Sequence, residues 1–277
     1  MKDLNVVLDK SYLRGAGRKK VSALCESHNV LMPESLFFEL LTTKEDKDRA
    51  ICFGNLPNTA NPVILVQGIS SMFSFEIGKK LPIKDVKDMC IDVPYIFNKH
   101  LKHLDFKYTC EQRQTLLEWQ KDVASRIEGF KEKSACVSGW FPGLKGYKPG
   151  MDPKHINEAK LLICEDLSVV REIYKTIRPS TFPEAEILTE EWALFRYLQV
   201  HVFAALEYVR LFGDGNSTAI SGKIENEILD LDYCVTALLV GALASHDMSL
   251  IEKFKRIRPT GIVIGPNLMQ TTHYTHG

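Results

Sequence analysis

The sequence predicts an α/β fold with a central parallel sheet and a large helical body. Three observations carry this expectation. Short β-rich runs stand near both ends of the chain, at Leu4–Leu8, Asn29–Met32, Leu243–Ser245 and Ile262–Ile264. Between them, from about residue 84 to 212, the apolar spacing is helical. Acidic residues follow the first strand and a late one, at the sheet edge where open parallel sheets bind ligands.

Size and charge set the bounds. A chain of 277 residues can bury one substantial core, or one core with a long insertion. Lys plus Arg number 35 and Asp plus Glu number 35, so there is no global pull toward a polyanion, although a local basic patch would still act. Seven cysteines show no C-x-x-C pair and read as reduced thiols of a cytoplasmic protein. No long apolar span or leader is legible, so no membrane contact is expected.

Taken in order, Leu4–Leu8 is a buried strand with Asp9 at its C-terminal tip. Asp9 reads equally as a cap for the next helix or as a ligand, with Ser11 placed to orient it. Arg14, Arg18, Lys19 and Lys20 surround Gly15 and Gly17 in what reads as a flexible turn, able to hold phosphates or simply solvated. Val21–Glu26 is a short helix and Asn29–Met32 a second strand. Pro33 opens the helix Glu34–Leu41, at a position that tolerates proline, with Leu36, Phe37 and Leu40 facing inward. Glu39 lies within a turn of them, where burial is costly unless the charge is paired or coordinated.

Residues 44–61 read as a charged, loop-like stretch, and Pro62–Val66 as a strand or the start of a buried helix. Val86–His103 reads as helical with a break at Pro94. Cys110–Lys133, Lys154–Arg178 and Ala185–Phe212 read as long helices. The loop Ser138–Gly150 alternates glycine, aromatic and lysine residues. Trp140, Phe141 and Tyr147 could stack on bases or tuck onto neighbouring helices. Glu225 and Glu227 begin the last helical stretch, which ends near Gly241. Met248–Arg256 is amphipathic, and the polar tail from Gln270 is expected to fray.

The chemistry concentrates in four places. Asp9 follows the first strand, and Glu39 lies in the helix after the second. Asp230 and Asp232 stand at a late helix start, just before a small-residue apolar run, and Asp247 follows the strand after that run. Carboxylates are the ligands of hard divalent cations. Close together and unfilled they raise one another's pKa, which favours Mg²⁺ or Mn²⁺.

In their contexts these residues resemble the PIN-domain nuclease family. The matching stretches are Asn5–Ser11, Val30–Glu39, Asp230–Ala237 and Leu243–Asp247, with Ser245-His-Asp247 fitting the family's Thr-or-Ser-x-Asp element. The resemblance spans residues 4–42 and 225–264, about a third of the chain. It implies a PIN-like core from residues 1–50 and 216–277, and a mostly helical insertion at 51–215 packed on that core. This arrangement is similar to the longer PIN-like proteins of bacteria. Asp9, Glu39, Asp230 and Asp247 would be the catalytic and metal-binding acids. The alignment prefers Asp230 as the third acid, and Asp232 would be an auxiliary ligand or a cap. Ser11 and Ser245 would support the acids from behind.

The implied activity is Mg²⁺- or Mn²⁺-dependent phosphodiester hydrolysis, on RNA rather than DNA, in a toxin, defence or housekeeping setting. A homodimer and an inhibitory partner protein are compatible with the family type. A metal-dependent phosphohydrolase is the second enzymatic reading. The non-enzymatic alternative is an inactive PIN-like scaffold whose helical part docks a protein or nucleic-acid partner.

Overall fold

Five short strands lie parallel in one sheet, in the order β3-β2-β1-β4-β5. They are β1 (Asn5–Leu8), β2 (Asn29–Pro33), β3 (Ile64–Val66), β4 (Ala242–Ala244) and β5 (Ile262–Ile264). The computed structural model describes residues 4–91, 98–215 and 224–265. Val6, Val7 and Leu8 of β1 and all of β4 are fully buried. That is the signature of strands covered on both faces, and it explains why they read as unbroken apolar runs. The registers Leu8↔Ala244 and Val7↔Leu31 bring the ends of β1, β2 and β4 level.

Thirteen helices surround the sheet among the described residues. The first five are α1 (Lys10–Gly15), α2 (Gly17–Ser27), α3 (Glu34–Thr42), α4 (Asp46–Asn55) and α5 (Ile69–Lys79). Next come α6 (Val86–Met89), α7 (Cys110–Ala135), α8 (Val137–Trp140), α9 (Lys154–Glu165) and α10 (Leu167–Ile177). The last are α11 (Ala193–Phe212), α12 (Ile224–Val240) and α13 (Met248–Ile257). The sequence order therefore winds outward from β1 to β3 on one side, and then from β4 to β5 on the other. The reversal falls between β1 and β4. In such sheets the crevice at the strands' C-terminal ends, at this reversal, is the natural ligand site.

Helix α12 packs on β1 and against α3, α7, α11 and α13, which makes it the bridge between sheet and helical body. Its stop is local. Gly241 takes φ +92, in the left-handed region, and its N–H returns to Ala237 O at 2.7 Å. A Cβ there would also lie 3.0 Å from the Arg258 guanidinium, which would have to shift to admit it. Helix α11 is buried around most of its circumference, and the fully buried Glu76 closes its start. The Glu76 carboxylate accepts from Ala193 N at 2.6 Å and Leu194 N at 2.9 Å.

Several sequence expectations need correction. The Arg14–Lys20 stretch is not a flexible turn: α1 and α2 run through it with a break at Ala16, eased by φ +74 at Gly17. The 44–61 stretch holds α4, whose Arg49 turns inward and donates to Leu101 O (2.6 Å) and His103 O (3.2 Å). A buried arginine inside a charge run breaks the pattern from which helices are read. In α3 the deeply buried ring is Phe38, not Phe37. Lys154–Arg178 is two helices, because the Asp166 side chain caps Ser168 N (2.9 Å) and restarts the chain. Asp230 and Asp232 lie inside α12 rather than at its start.

The open reading of Pro62–Val66 is decided as strand, and β3 contributes the sheet's edge from within 51–215. In the Ser138–Gly150 loop, Phe141 and Tyr147 are buried and Trp140 is partly buried, so these aromatics tuck inward. The expected break at Pro94 and the tail from Gln270 lie outside the described residues. No described helix is long and apolar enough to cross a membrane.

Candidate active site

The crevice at the β1–β4 reversal is built by two strand exits tied together through serines. Asp9 continues the ladder, its N–H donating to Ala244 O at 3.1 Å, so its backbone position is set by the sheet. Its Oδ2 accepts from Ser11 Oγ and from Ser245 Oγ, the latter at 2.6 Å. Ser11 Oγ in turn accepts from His246 N (2.9 Å) and Asp247 N (3.1 Å). The β1–α1 and β4–α13 turns are thus one hydrogen-bonded unit. The His246 ring wedges against Tyr12, their centroids 5.1 Å apart. A Cβ at Gly15 would come within 2.6 Å of the His246 ring. Burial pushes the Asp9 carboxyl above its usual range, and the serine hydroxyls oppose that shift.

Glu39 reaches the crevice from α3, and both its oxygens are engaged. Oε1 accepts from Lys10 Nζ at 2.9 Å and Oε2 from Tyr233 OH at 2.5 Å. The cost of placing a glutamate on an apolar helical face is met by pairing. Asp247 acts first as a cap: its Oδ1 accepts from Ser249 N (2.8 Å) and Leu250 N (3.2 Å) at the start of α13.

Asp230 is the exception. It has no hydrogen bond or ion pair among the described residues. Its carboxyl is pushed up to about 8, first by burial and then by Asp9, with smaller contributions from Glu39 and Asp247. Lys253 opposes the shift, but its ammonium is bound at 2.8 Å to Glu227. The crevice therefore gathers Asp9, Glu39, Asp230 and Asp247 into one electrostatic neighbourhood.

Asp232 does not join them. Two positions along a helix turn the side chain by roughly 200°. The structure puts Asp232 on the far side of α12, buried, in an ion pair with Arg126 of α7. Its placement among metal ligands is corrected accordingly.

The basic residues also divide. Arg14 pairs with Asp48 at 3.1 Å. Arg18 and Lys19 are exposed, while Lys20 acts electrostatically on His246. Arg18 lines a cleft with Lys99, Lys102, Phe53, Gly54, Asn58, Thr59 and Asn98. None of the three cations has an ion pair among the described residues.

Sequence reasoning missed Lys10, Tyr233, Lys99 and Lys102. Tyr233 had a signal: it stands three residues after Asp230, hence on the same helical face. Lys10 had none beyond adjacency to Asp9.

The donor set suits a hard divalent cation in kind, being all carboxylate oxygen. Asp230 is the observation that fits best, a charge site without a partner, and the Lys10 ammonium already stands in the crevice as a cation. Among the described residues, no three His, Cys, Asp or Glu side chains are close enough together to hold one ion as they stand. No protein-family model, curated protein or solved structure matches the chain.

Proposed function

We propose that the chain is a divalent-metal-dependent nuclease with a PIN-like core, acting on RNA in preference to DNA. The observation that carries this reading is Asp230, partly buried, without a hydrogen bond or ion pair among the described residues, and in the field of Asp9, Glu39 and Asp247. A carboxyl whose proton affinity is raised by burial and by neighbouring acids is ready to exchange the proton for a cation. Perturbed acids in a crevice at a sheet reversal are the usual mark of a functional site.

In this reading Asp9, Asp230 and Asp247 hold Mg²⁺ or Mn²⁺, with Glu39 at the edge. The bound cation supplies charge neutralisation for the phosphodiester and acidifies water. Ser11 and Ser245 fix the Asp9 carboxylate by hydrogen bonds to its Oδ2. Arg18, Lys99 and Lys102 would take backbone phosphates of the strand. A second reading, an inactive scaffold, is favoured by one observation: both oxygens of Glu39 and Oδ1 of Asp247 are engaged in internal bonds.

The deciding experiment is cleavage of an end-labelled structured RNA with and without Mn²⁺, comparing the wild type with Asp9→Asn and Asp230→Asn. Metal-dependent cutting by the wild type alone is expected. Equal trace cutting by all three proteins, or none on RNA and DNA alike, overturns the nuclease reading in favour of the scaffold.

A further inference from the structure

His201 stands in the middle of α11, and neither of its ring nitrogens has a hydrogen-bond partner among the described residues. Only 4% of the residue is exposed. Buried polar groups are nearly always hydrogen-bonded, so a ring with both nitrogens open is unusual. Its centroid lies 3.7 Å from that of Tyr197, one turn earlier on the same helix. On the α7 side it meets Phe130 edge to face, with centroids 5.8 Å apart. Between these rings the neutral imidazole packs as one more flat aromatic.

The charges acting on the ring are of one sign. Arg126 and Lys133 of α7 and Lys253 of α13 all disfavour a proton there. The α12 acids are turned to two of those cations, Asp232 to Arg126 and Glu227 to Lys253. Lys133 has no ion pair among the described residues, and its ammonium lies over the Tyr197 ring, 5.5 Å from the centroid. Helices α5, α8, α9 and α10 also pack on α11, but no charged group of theirs acts on His201 among the described residues. Burial first, and these cations second, hold the ring's proton affinity well below the ordinary histidine value of 6.5.

A proton on His201 would put an unpaired charge in the core, facing two cations of α7. Most of α11 is buried, so that helix cannot leave alone. Of the 26 residues of α7, only Val123, Phe130 and Ser134 are buried. Segments with few buried contacts open at the lowest cost. Phe130 is one of three anchors, and it rests on the His201 ring. Helix α7 also packs on α3, which carries Glu39, so its release reaches the crevice.

We infer that His201 is an acid-sensitive latch: the neutral ring seats Phe130 and holds α7 on α11, and the protonated ring drives α7 off. The latch does not depend on the crevice binding a metal. With α7 released the ring takes a proton at the ordinary value of 6.5, whereas the closed state takes it far more weakly. The closed state is therefore favoured above 6.5 and loses ground as pH falls below it, by at most about tenfold in the opening constant per pH unit.

The test is backbone hydrogen exchange of the full chain, read by mass spectrometry between about pH 7.5 and 5 and corrected for the intrinsic rate at each pH. Wild type and His201→Leu are compared, with His201→Phe replacing the leucine variant if that does not fold. In the wild type, α7 peptides should be less protected than β1 and β4 throughout, and should lose about tenfold or more of their protection below 6.5. The variant should lose markedly less, since the other histidines titrate in both proteins. Three results overturn the latch. One is no loss in the wild type, and another is an equal loss in the variant. The third is protection of α7 equal to that of β1 and β4, which would mean that only global unfolding exposes the ring.

Discussion

Tyr233 donates its phenolic hydroxyl to Glu39 Oε2 at 2.5 Å, tying α12 to α3 beside the crevice. The two residues are 194 positions apart, and Tyr233 is fully buried. A neutral donor on a partly buried carboxylate is a charge-assisted bond, of the stronger kind. Tyr233→Phe should destabilise the protein by about 2 kcal/mol, within the range for hydrogen bonds to charged groups. The midpoint of urea unfolding measures it. A midpoint equal to the wild type would mean that water replaces the hydroxyl and the tie has no structural weight.

Asp230 should make the metal-free protein lose stability as pH rises. Its folded-state pKa is raised from 3.8 to about 8, so the folded protein binds this proton more tightly than the unfolded chain does. The contribution is fully present below 3.8 and is lost as pH rises through about 8. Asp230→Asn lacks this dependence. The difference in unfolding free energy, variant minus wild type, should therefore grow between those limits, by at most about 1.4 kcal/mol per pH unit. Chelator-treated samples of both proteins, unfolded in urea across that window, give the slope. A difference that stays flat would show that the carboxyl is not perturbed. Added Mn²⁺ should reverse the trend for the wild type, because the ion takes the proton's place.

Arg126 and Asp232 should behave as a structural pair. Asp232 is buried and Arg126 reaches it from a position with 20% of its side chain exposed, so removing Arg126 leaves the Asp232 charge buried alone. Arg126→Met is expected to cost roughly 3–5 kcal/mol, and much of that should return in the double variant Arg126→Met/Asp232→Leu. Guanidinium unfolding of the two singles and the double closes the cycle. Asp232→Asn should keep its Mn²⁺ affinity; a loss of ion binding as large as that of Asp230→Asn would restore Asp232 to the site.

The cleft lined by Arg18, Lys99 and Lys102 should govern binding of a strand rather than the chemistry. Replacing all three with alanine should weaken binding of a labelled single-stranded RNA, measured by anisotropy in the presence of chelator. The slope of log affinity against log salt should flatten by about two, at roughly 0.7 for each phosphate no longer neutralised. An unchanged slope would place the strand elsewhere on the surface.

Local pattern carried much of this protein. The unbroken apolar runs at β1 and β2 announced strands buried on both faces, and Asp9 at the end of β1 was legible as a strand exit. Gly241 marked the end of α12 because a left-handed residue is a local requirement. The span of α7 was read nearly to its ends, because helical periodicity is a local property of the sequence. Where a single residue broke the pattern, as Arg49 does in α4, the helix was hidden.

The identity of the partners was decided only by the tertiary structure. Periodicity states which acids share a helix; it does not state what stands opposite each face. Asp230 and Asp232 are two residues apart, yet one meets the sheet's crevice and the other meets Arg126, which is 106 positions away. Lys10 reaches Glu39 across 29 positions, and Tyr233 reaches it across 194. Such pairings arise when the strand order brings β1 beside both β2 and β4 and α12 is laid across them. The sequence by itself determined which residues could carry charge into the core. The packing of α12 between sheet and helical body decided which of those charges were paired and which one was left open, because burial makes pairing obligatory wherever a partner is within reach.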